Sequence, residues 1–360
     1  MRAHLILKDG TSFRGRAPLG FGGSGEAVFT TSMTGYQEIL TDPSFAGQMV
    51  CLTFPEQDIY GVRGDLVEGD RPWASALLCR RLTVTPDHAL AEGDLGSWLK
   101  RHRIPVMTDL DTRALTQHLR DAGAQPGLIW TEGDGDLAAG VAAARSLPDM
   151  AGQALCGRVS CAERYDIPNP EAKFHVAVLD GGIKKSILRL LCESGLSLEV
   201  FPWDTPASEL TAPRFEGLFF SNGPGDPAAL AGMQREIGAC IGRKPIFGIC
   251  LGLQLLGHAF GGRTFKLKFG HRGANQQVLE LATGRVQITA QNHGFAVDEK
   301  SLPAEIEVTH RHLSDGTVEG FRHKALPIFG LQHHPEASPG PHDARSAFAQ
   351  FVRMMEEHHA

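Results

Sequence analysis

The sequence lacks the features of several protein classes. No apolar run approaches the roughly 20 residues of a membrane-spanning helix, and the start of the chain has no apolar core as long as that of a signal peptide. Lysine and arginine form no block, and the net charge is -6, which argues against nucleic acid or an anionic membrane as the main partner. These absences predict a cytoplasmic protein with neither a membrane nor a nucleic-acid partner.

Motifs for metals and nucleotides are equally scarce. The seven cysteines are scattered and form no C-x-x-C pair, which favours reduced thiols. No H-E-x-x-H motif occurs, and the pair His310 and His312 alone is a weak metal pattern, so no metal site is predicted. The G-x-x-x-x-G-K-[ST] loop is absent, and the glycine loop at residues 20–25 precedes a predicted strand instead of a helix. We therefore expect no cofactor on this chain.

The composition is that of a soluble protein with two domains. The chain has 360 residues, of which 42% are hydrophobic and 21% charged. Residues 1–150 predict a mixed, β-led domain that opens with a hairpin. Residues 151–172 are irregular and contain prolines, which predicts a linker. Residues 173–360 then predict a second domain.

Strands and helices alternate from Phe174 onward, which predicts a doubly wound, mostly parallel sheet. The overall fold class is therefore α/β, with the β-led domain first. In parallel sheets ligands bind beyond the carboxyl ends of the strands. Two such ends carry informative loops here, at residues 222–227 and at Cys250.

The segment Gly248-Ile-Cys-Leu-Gly252 has the form of a nucleophile elbow with cysteine in place of serine. A short apolar strand precedes Cys250 and a helical pattern follows it. The flanking glycines avoid collisions with the neighbouring strand and helix, and the helix N-terminus favours a thiolate. The alternative is a buried structural cysteine, the commonest role of this residue.

A cysteine nucleophile requires a base and a group that orients it. His334 and Glu336 follow an apolar strand and lie two residues apart, so in an extended segment their side chains point the same way. Glu336 would then hold one ring nitrogen of His334 while the other faces Cys250. The alternatives are a surface His-Pro turn, or a structural zinc pair formed by His333 and His334.

An acyl-transfer site also requires donors for the developing oxyanion. The elbow geometry supplies the backbone N–H of Leu251. The loop at residues 223–225 supplies a second donor, which must come from Gly223 or Gly225 because Pro224 has no N–H.

Three motifs together resemble the class I (triad) glutamine amidotransferase domain: residues 222–227, 248–254 and 334–336. Three further segments are similar to the small-subunit family of carbamoyl-phosphate synthetases: residues 31–44, 109–113 and 335–343. The first of these is polar and turn-rich without clear periodicity, so no helix is predicted there. The resemblance covers essentially the whole chain. Leu253 and His333 depart from it, since relatives often have histidine and a smaller or apolar residue there.

The resemblance implies a glutaminase. Cys250 attacks the side-chain amide of L-glutamine, while His334, oriented by Glu336, protonates the leaving ammonia and then activates water. The matching positions for glutamine binding are Ser44, Gly223, Gly225, Leu251, Gln254, Asn292, Gly294 and Phe295.

The resemblance also implies a partner. Ammonia passes through a tunnel to a large subunit, which makes carbamoyl phosphate from bicarbonate and ATP for arginine and pyrimidine biosynthesis. ATP and Mg²⁺ are expected on that subunit, and the assembly is a heterodimer or a higher oligomer. The alternatives are the amidotransferase subunit of another synthetase, a free-standing cysteine hydrolase, or a non-catalytic interaction protein with this fold.

Overall fold

The computed structural model describes residues 1–359 as two compact units. The first unit comprises Met1–Gln153 together with Lys268–Gly273. The second comprises Ala154–Leu267 and the chain from Ala274 onward. Residues 154–172, where the sequence predicts a linker, thus group with the second unit, and a short segment from the second half of the chain groups with the first.

The first unit contains nine strands and four α-helices that lie before residue 153. In chain order they are β1 (Arg2–Leu7), β2 (Ser12–Arg16), β3 (Ser24–Thr30), α1 (Tyr36–Thr41), β4 (Gln48–Leu52), β5 (Glu56–Gln57), β6 (Ala76–Leu78), β7 (Arg81–Leu82), α2 (Leu95–Arg101), β8 (Val106–Met107), α3 (Thr112–Ala122), β9 (Gln125–Thr131) and α4 (Leu137–Arg145).

Seven of these strands form one mixed sheet in the order β2-β1-β9-β3-β4-β6-β8. The predicted opening hairpin is confirmed, because β1 and β2 pair antiparallel. Asp9 stabilises their turn by accepting a hydrogen bond from Thr11 N at 2.8 Å. Helix α3 also begins at a local signal, since the Asp111 side chain at its N-cap accepts from Ala114 N at 2.9 Å.

The prediction that residues 31–44 contain no helix is wrong. Residues Tyr36–Thr41 within this segment form α1, and a 3₁₀ turn over Pro43–Phe45 follows it. Tyr36, Ile39 and Leu40 are buried at helical spacing, but the polar residues between them hide this period. The polar side chains are accommodated by specific bonds, such as Gln37 Nε2 donating to Arg63 O at 2.8 Å. Such distant partners are not visible in the sequence.

The described residues after residue 153 contain ten strands and six α-helices, which belong to the second unit except for residues 268–273 of one strand. No helix in residues 1–359 is long and apolar enough to cross a bilayer. In chain order the elements are α5 (Cys156–Val159), β10 (Tyr165–Ile167), β11 (Phe174–Asp180), α6 (Lys185–Glu193), β12 (Leu196–Pro202), α7 (Ala207–Leu210), β13 (Gly217–Phe220), α8 (Ala231–Cys240), β14 (Ile246–Ile249), α9 (Leu251–Ala259), β15 (Thr264–Glu280), β16 (Val286–Val297), β17 (Ile306–His312), β18 (Val318–His323), β19 (Ile328–Leu331) and α10 (Ser346–His359).

The ten strands form one sheet in the order β10-β12-β11-β13-β14-β19-β18-β17-β15-β16. The five strands from β12 to β19 are mutually parallel, whereas β17 and β18 pair antiparallel with their neighbours. The predicted α/β class is therefore confirmed, with a parallel core of five strands. The sheet as a whole is mixed, because β10, β15, β17 and β18 pair antiparallel with their neighbours.

Phe247 on β14 lies at the centre of an aromatic cluster in this sheet. Its fully buried ring stacks on Phe329 of the neighbouring strand, with ring centroids 4.3 Å apart. Phe219 meets it edge-on at 5.3 Å, and Phe351 of α10 packs at 5.7 Å. Burial of such a side chain and the offset contacts both stabilise the sheet directly below the Cys250 turn.

Replacing this ring tests its contribution. We expect Phe247→Ala to lower the free energy of unfolding by about 3–5 kcal/mol, because it removes a fully buried aromatic side chain and leaves a cavity. Urea unfolding followed by circular dichroism measures the change. Phe265→Ala is the matched control, since that ring is 43% exposed and its loss should stay within about 0.5 kcal/mol. Equal losses in both variants would contradict this view of the core.

Candidate active site

Cys250 occupies a sharp turn between β14 and α9. Its backbone has φ 53° and ψ -103°, and non-glycine residues rarely adopt a positive φ. A Cβ on Gly248 would lie 2.8 Å from the carbonyl carbon of Gly252, and one on Gly252 would overlap the carbonyl oxygen of Phe220. Both glycines are thus required by close packing of strand and helix, and the predicted strand–turn–helix is confirmed.

The pairing of β14 with β19 brings the second part of the site to this turn. Ile249 pairs with Leu331 in parallel register, and Cys250 N donates to Leu331 O at 2.7 Å. His334 follows the end of β19 and its N–H donates to Ala290 O at 2.8 Å. The two carboxyl ends therefore meet at one edge of the sheet.

His334 and Glu336 form a buried pair. His334 Nδ1 and Glu336 Oε1 lie 2.6 Å apart, and both side chains are almost fully inaccessible. Burial alone would lower the pKa of His334, but the Glu336 carboxylate and the adjoining Cys250 sulfur raise it above the usual value for histidine. The imidazole is therefore a strong proton acceptor beside a thiol.

The opposite ring nitrogen remains available for chemistry. His334 Nε2 is buried and bonds to no nitrogen or oxygen atom among residues 1–359, while the Cys250 sulfur adjoins the ring. The Cys250 thiol donates to Asn292 O, with the sulfur 3.8 Å from that oxygen. Nδ1 is thus held by Glu336, and Nε2 is the nitrogen that can exchange a proton with the sulfur or with a substrate.

Lys184 is part of this site, although sequence reasoning did not select it. It is buried at the N-cap of α6, four residues after the end of β11, and its Nζ lies 3.1 Å from Glu336 Oε1. It also donates to Ala337 O at 2.5 Å and to Ser338 O at 3.0 Å. The available signal was a lysine at the carboxyl end of a buried strand, which alone does not identify its partner.

Lys184 sets the charge of the carboxylate. Burial raises the pKa of Glu336, but the ammonium of Lys184 and then the imidazole of His334 outweigh it and leave the pKa below the usual value. Glu336 is therefore ionised and accepts from both neighbours. A buried charge of this kind requires such partners to be tolerated.

The two alternative readings of the histidine pair do not fit the geometry. A surface turn is excluded, because His333 is 0% and His334 3% exposed. The two rings also face different carboxylates, since His333 Nδ1 lies 3.5 Å from Glu319 Oε2. A zinc pair formed by these two rings is therefore disfavoured.

Several predicted glutamine-binding positions adjoin the elbow. A Cβ on Gly223 would come within 2.8 Å of the Leu251 side chain. Asn292 O accepts from the Cys250 thiol, and Gln254 Nε2 donates to Phe295 O at 2.8 Å.

The remaining predicted positions have less direct links. Gly294 lies in β16 between Asn292 and Phe295. Gly225 has φ 96° and forms an isolated β-bridge with Ala154. Ser44 belongs to the first unit, where its N–H donates to Asp42 Oδ1 at 2.8 Å in the 3₁₀ turn.

Comparison with known proteins agrees with this geometry. Residues 177–354 match the family described as glutamine amidotransferase class-I, so the second unit carries a domain of that class. Residues 5–129 match the carbamoyl-phosphate synthase small chain, CPSase domain. The chain therefore belongs to the carbamoyl-phosphate synthase small chain family.

Curated relatives match over nearly their full length, and each is named carbamoyl phosphate synthase small chain. The chain is 46% identical to that of Chlorobaculum tepidum, over 98% of both chains. It is 47% identical to that of Nitratidesulfovibrio vulgaris, over 99% of both. It is 45% identical to that of Escherichia coli K12, over 99% of this chain and 98% of the relative.

The buried ion pair of Lys184 and Glu336 predicts that removal of the lysine destabilises the fold in a pH-dependent manner. Lys184→Met removes the strongest cause of the lowered pKa of Glu336. Because a carboxylate with a lowered pKa stabilises the fold above the pKa of an unfolded glutamate, about 4.3, its contribution is lost as the pH falls. We expect a destabilisation of about 3 kcal/mol at pH 7 that shrinks below about pH 4.

Unfolding of both proteins in urea from pH 3.5 to 7 measures this difference. Lys173→Met is the matched control, because Lys173 pairs with Glu356 at 3.0 Å on the surface, with 64% and 44% of the side chains exposed. Exposed pairs contribute about 0–1 kcal/mol. A loss in Lys184→Met that is constant across the pH range would show that the charge on Glu336 is not the cause.

Proposed function

We propose that this chain hydrolyses L-glutamine to glutamate and ammonia and delivers the ammonia to a large synthase subunit. The observation that supports it most is the meeting of Cys250, His334 and Glu336 at one sheet edge, in a chain of the small chain family. The three side chains have the roles of nucleophile, base and orienting acid.

The reaction proceeds in two halves. As the Cys250 sulfur attacks the carbonyl carbon of the side-chain amide, His334 Nε2 accepts the thiol proton. The same nitrogen then gives this proton to the leaving group, so that ammonia departs and a thioester remains. His334 next removes a proton from water, whose oxygen attacks the thioester, and the proton returns to sulfur as glutamate leaves.

The oxyanion of each tetrahedral intermediate requires backbone donors. Leu251 is the first residue of α9, and N–H groups in the first turn of a helix have no intrahelical partner. Its N–H and that of Gly223 or Gly225 are the donors in this proposal. The dipole of α9 adds to the stabilisation, because the helix begins directly after Cys250.

The remaining binding roles follow from the family. Glutamine is held by Ser44, Gly223, Gly225, Leu251, Gln254, Asn292, Gly294 and Phe295 in this proposal. The ammonia meets bicarbonate and ATP, with Mg²⁺, on the large subunit, which fits the absence of a G-x-x-x-x-G-K-[ST] loop from this sequence. The pair forms at least a heterodimer, and a cytoplasmic location suits the seven free cysteines.

Removing the nucleophile tests the mechanism. In complex with the large subunit, Cys250→Ala should lower glutamine-dependent carbamoyl phosphate synthesis by about 10³-fold or more, the scale for loss of a nucleophile. Ammonia-dependent synthesis should be unchanged, because the ATP chemistry lies on the partner. Both rates are measured on the same preparation, with glutamine or ammonium chloride as nitrogen source.

The matched control is Cys192→Ala, which removes a half-buried free cysteine on α6. It should leave both rates unchanged. Full glutamine-dependent activity in Cys250→Ala would refute the proposed mechanism. Equal loss of both rates would instead show that the substitution damages the assembly.

A further inference from the structure

Gln332 lies directly after β19, two residues before His334, and its side chain is fully buried. We propose that Gln332 is a positioning residue that fixes the amide of Gln254, so that Gln254 presents its carbonyl oxygen to the substrate. The site thereby selects a substrate that carries an ammonium group on the carbon that bears the carboxylate. This inference rests on the proposed hydrolysis of glutamine.

The Gln254 amide nitrogen makes two hydrogen bonds within the fold. Its Nε2 donates to Phe295 O at 2.8 Å and to Gln332 Oε1 at 3.0 Å. A primary amide has only two N–H donors, so both are used. Gln254 itself is 3% exposed, and each bond is therefore protected from competition by water.

The orientation of this amide follows from its partners. The carbonyl oxygen of Phe295 can only accept, so the atom of Gln254 that faces it must be the nitrogen. The second N–H of that nitrogen then requires another acceptor, which is the oxygen of Gln332. Phe295 and Gln332 thus oppose rotation of the Gln254 amide together, because a turn of about 180° would break both hydrogen bonds.

Because the amide nitrogen of Gln254 is held within the fold, only its amide oxygen is left to bind a ligand. Gln254 Oε1 has no hydrogen bond within residues 1–359 and is not sealed from solvent. Gln254 lies four residues after Cys250 in α9, and its N–H donates to Cys250 O at 3.1 Å. The free acceptor therefore belongs to the first turn of the helix that begins directly after the nucleophile.

An acceptor oxygen discriminates between the two charged groups of glutamine. It accepts a hydrogen bond from an ammonium group, whereas a carboxylate offers only acceptors and is repelled. The polarity of the Gln254 amide is hence a specificity element for the ammonium group.

The side chain of Gln332 carries an unpaired group that lowers the stability of the fold. Its own Nε2 is buried without a partner in the described part of the chain, an arrangement that costs about 1–3 kcal/mol. A methionine of similar size would remove this unpaired donor but would leave the second N–H of Gln254 without an acceptor. The glutamine therefore serves the orientation of its neighbour.

Three substrates separate this role from a general structural one. They are L-glutamine, glutaramate, which lacks the ammonium group, and 4-aminobutanamide, which lacks the carboxylate. Ammonia release by the purified full-length chain gives kcat/KM for each. We expect wild type to prefer glutamine to glutaramate by about 10- to 100-fold, the range for one hydrogen bond to a charged group.

In Gln332→Met we expect that preference to fall by about tenfold, while the preference for glutamine over 4-aminobutanamide is unchanged. Gln332→Glu retains an acceptor oxygen at the same place and should restore the preference. Because Gln332 acts through Gln254, the double variant Gln254→Met, Gln332→Met should discriminate no worse than Gln254→Met alone. Gln287→Met, at another buried glutamine on β16, is the control and should discriminate like wild type.

The outcomes are distinguishable. If Gln332→Met lowers kcat/KM for all three substrates equally, or if Gln332→Glu discriminates no better than Gln332→Met, the positioning role is overturned. Additive losses in the double variant overturn it as well. Failure of the wild-type chain, alone or with its large subunit, to release ammonia from glutamine overturns the proposed function and this inference together.

Discussion

The parallel pairing of β14 with β19 is the constraint on which the site depends. It joins segments about 80 residues apart in sequence and places Cys250 and His334 beyond adjacent strand ends. The register is held by side chains as well as by backbone bonds, because the paired residues Phe247 and Phe329 stack with ring centroids 4.3 Å apart. A slip of one residue would turn every side chain of the strand to the other face. Packing of the aromatic core and alignment of the catalytic groups therefore require the same register of these two strands.

A second requirement is electrostatic. Lys184, Glu336 and His334 form a buried chain in which the carboxylate lies 3.1 Å from the ammonium and 2.6 Å from the imidazole. None of these charges would be tolerated alone at this depth, because desolvation of an ion costs several kcal/mol. Together they lower the pKa of Glu336 and raise that of His334. The same contacts that make burial possible orient the ring, because Glu336 holds Nδ1 and leaves Nε2 as the nitrogen for chemistry.

The sequence was informative where the chemistry is local. The glycines around Cys250 predict the elbow, and the spacing of His334 and Glu336 predicts their contact, since both depend on neighbours in the chain. Residues whose role depends on a distant partner were missed. Lys184 is identified only by its contact with Glu336, and Gln332 only by its bond to Gln254. Helix α1 was missed for the same reason, because its polar residues are satisfied by loop atoms some 26 positions away.

Several features of the second unit destabilise the fold, and their positions follow a pattern that stability alone does not explain. Cys250 has a positive φ, and buried polar atoms without partners among residues 1–359 include both polar side-chain atoms of Asn292 and Nε2 of Gln332. Each such feature costs about 1–3 kcal/mol. They occur in the elbow, in β16 and after β19, the segments that the β14–β19 pairing and the Gln254 bonds hold together. A fold optimised only for stability would have paired or replaced these groups, whereas an acyl-transfer site must keep donors and acceptors ready before the substrate arrives. The rigid sheet thus supports a set of polar atoms that remain unpaired for the reaction.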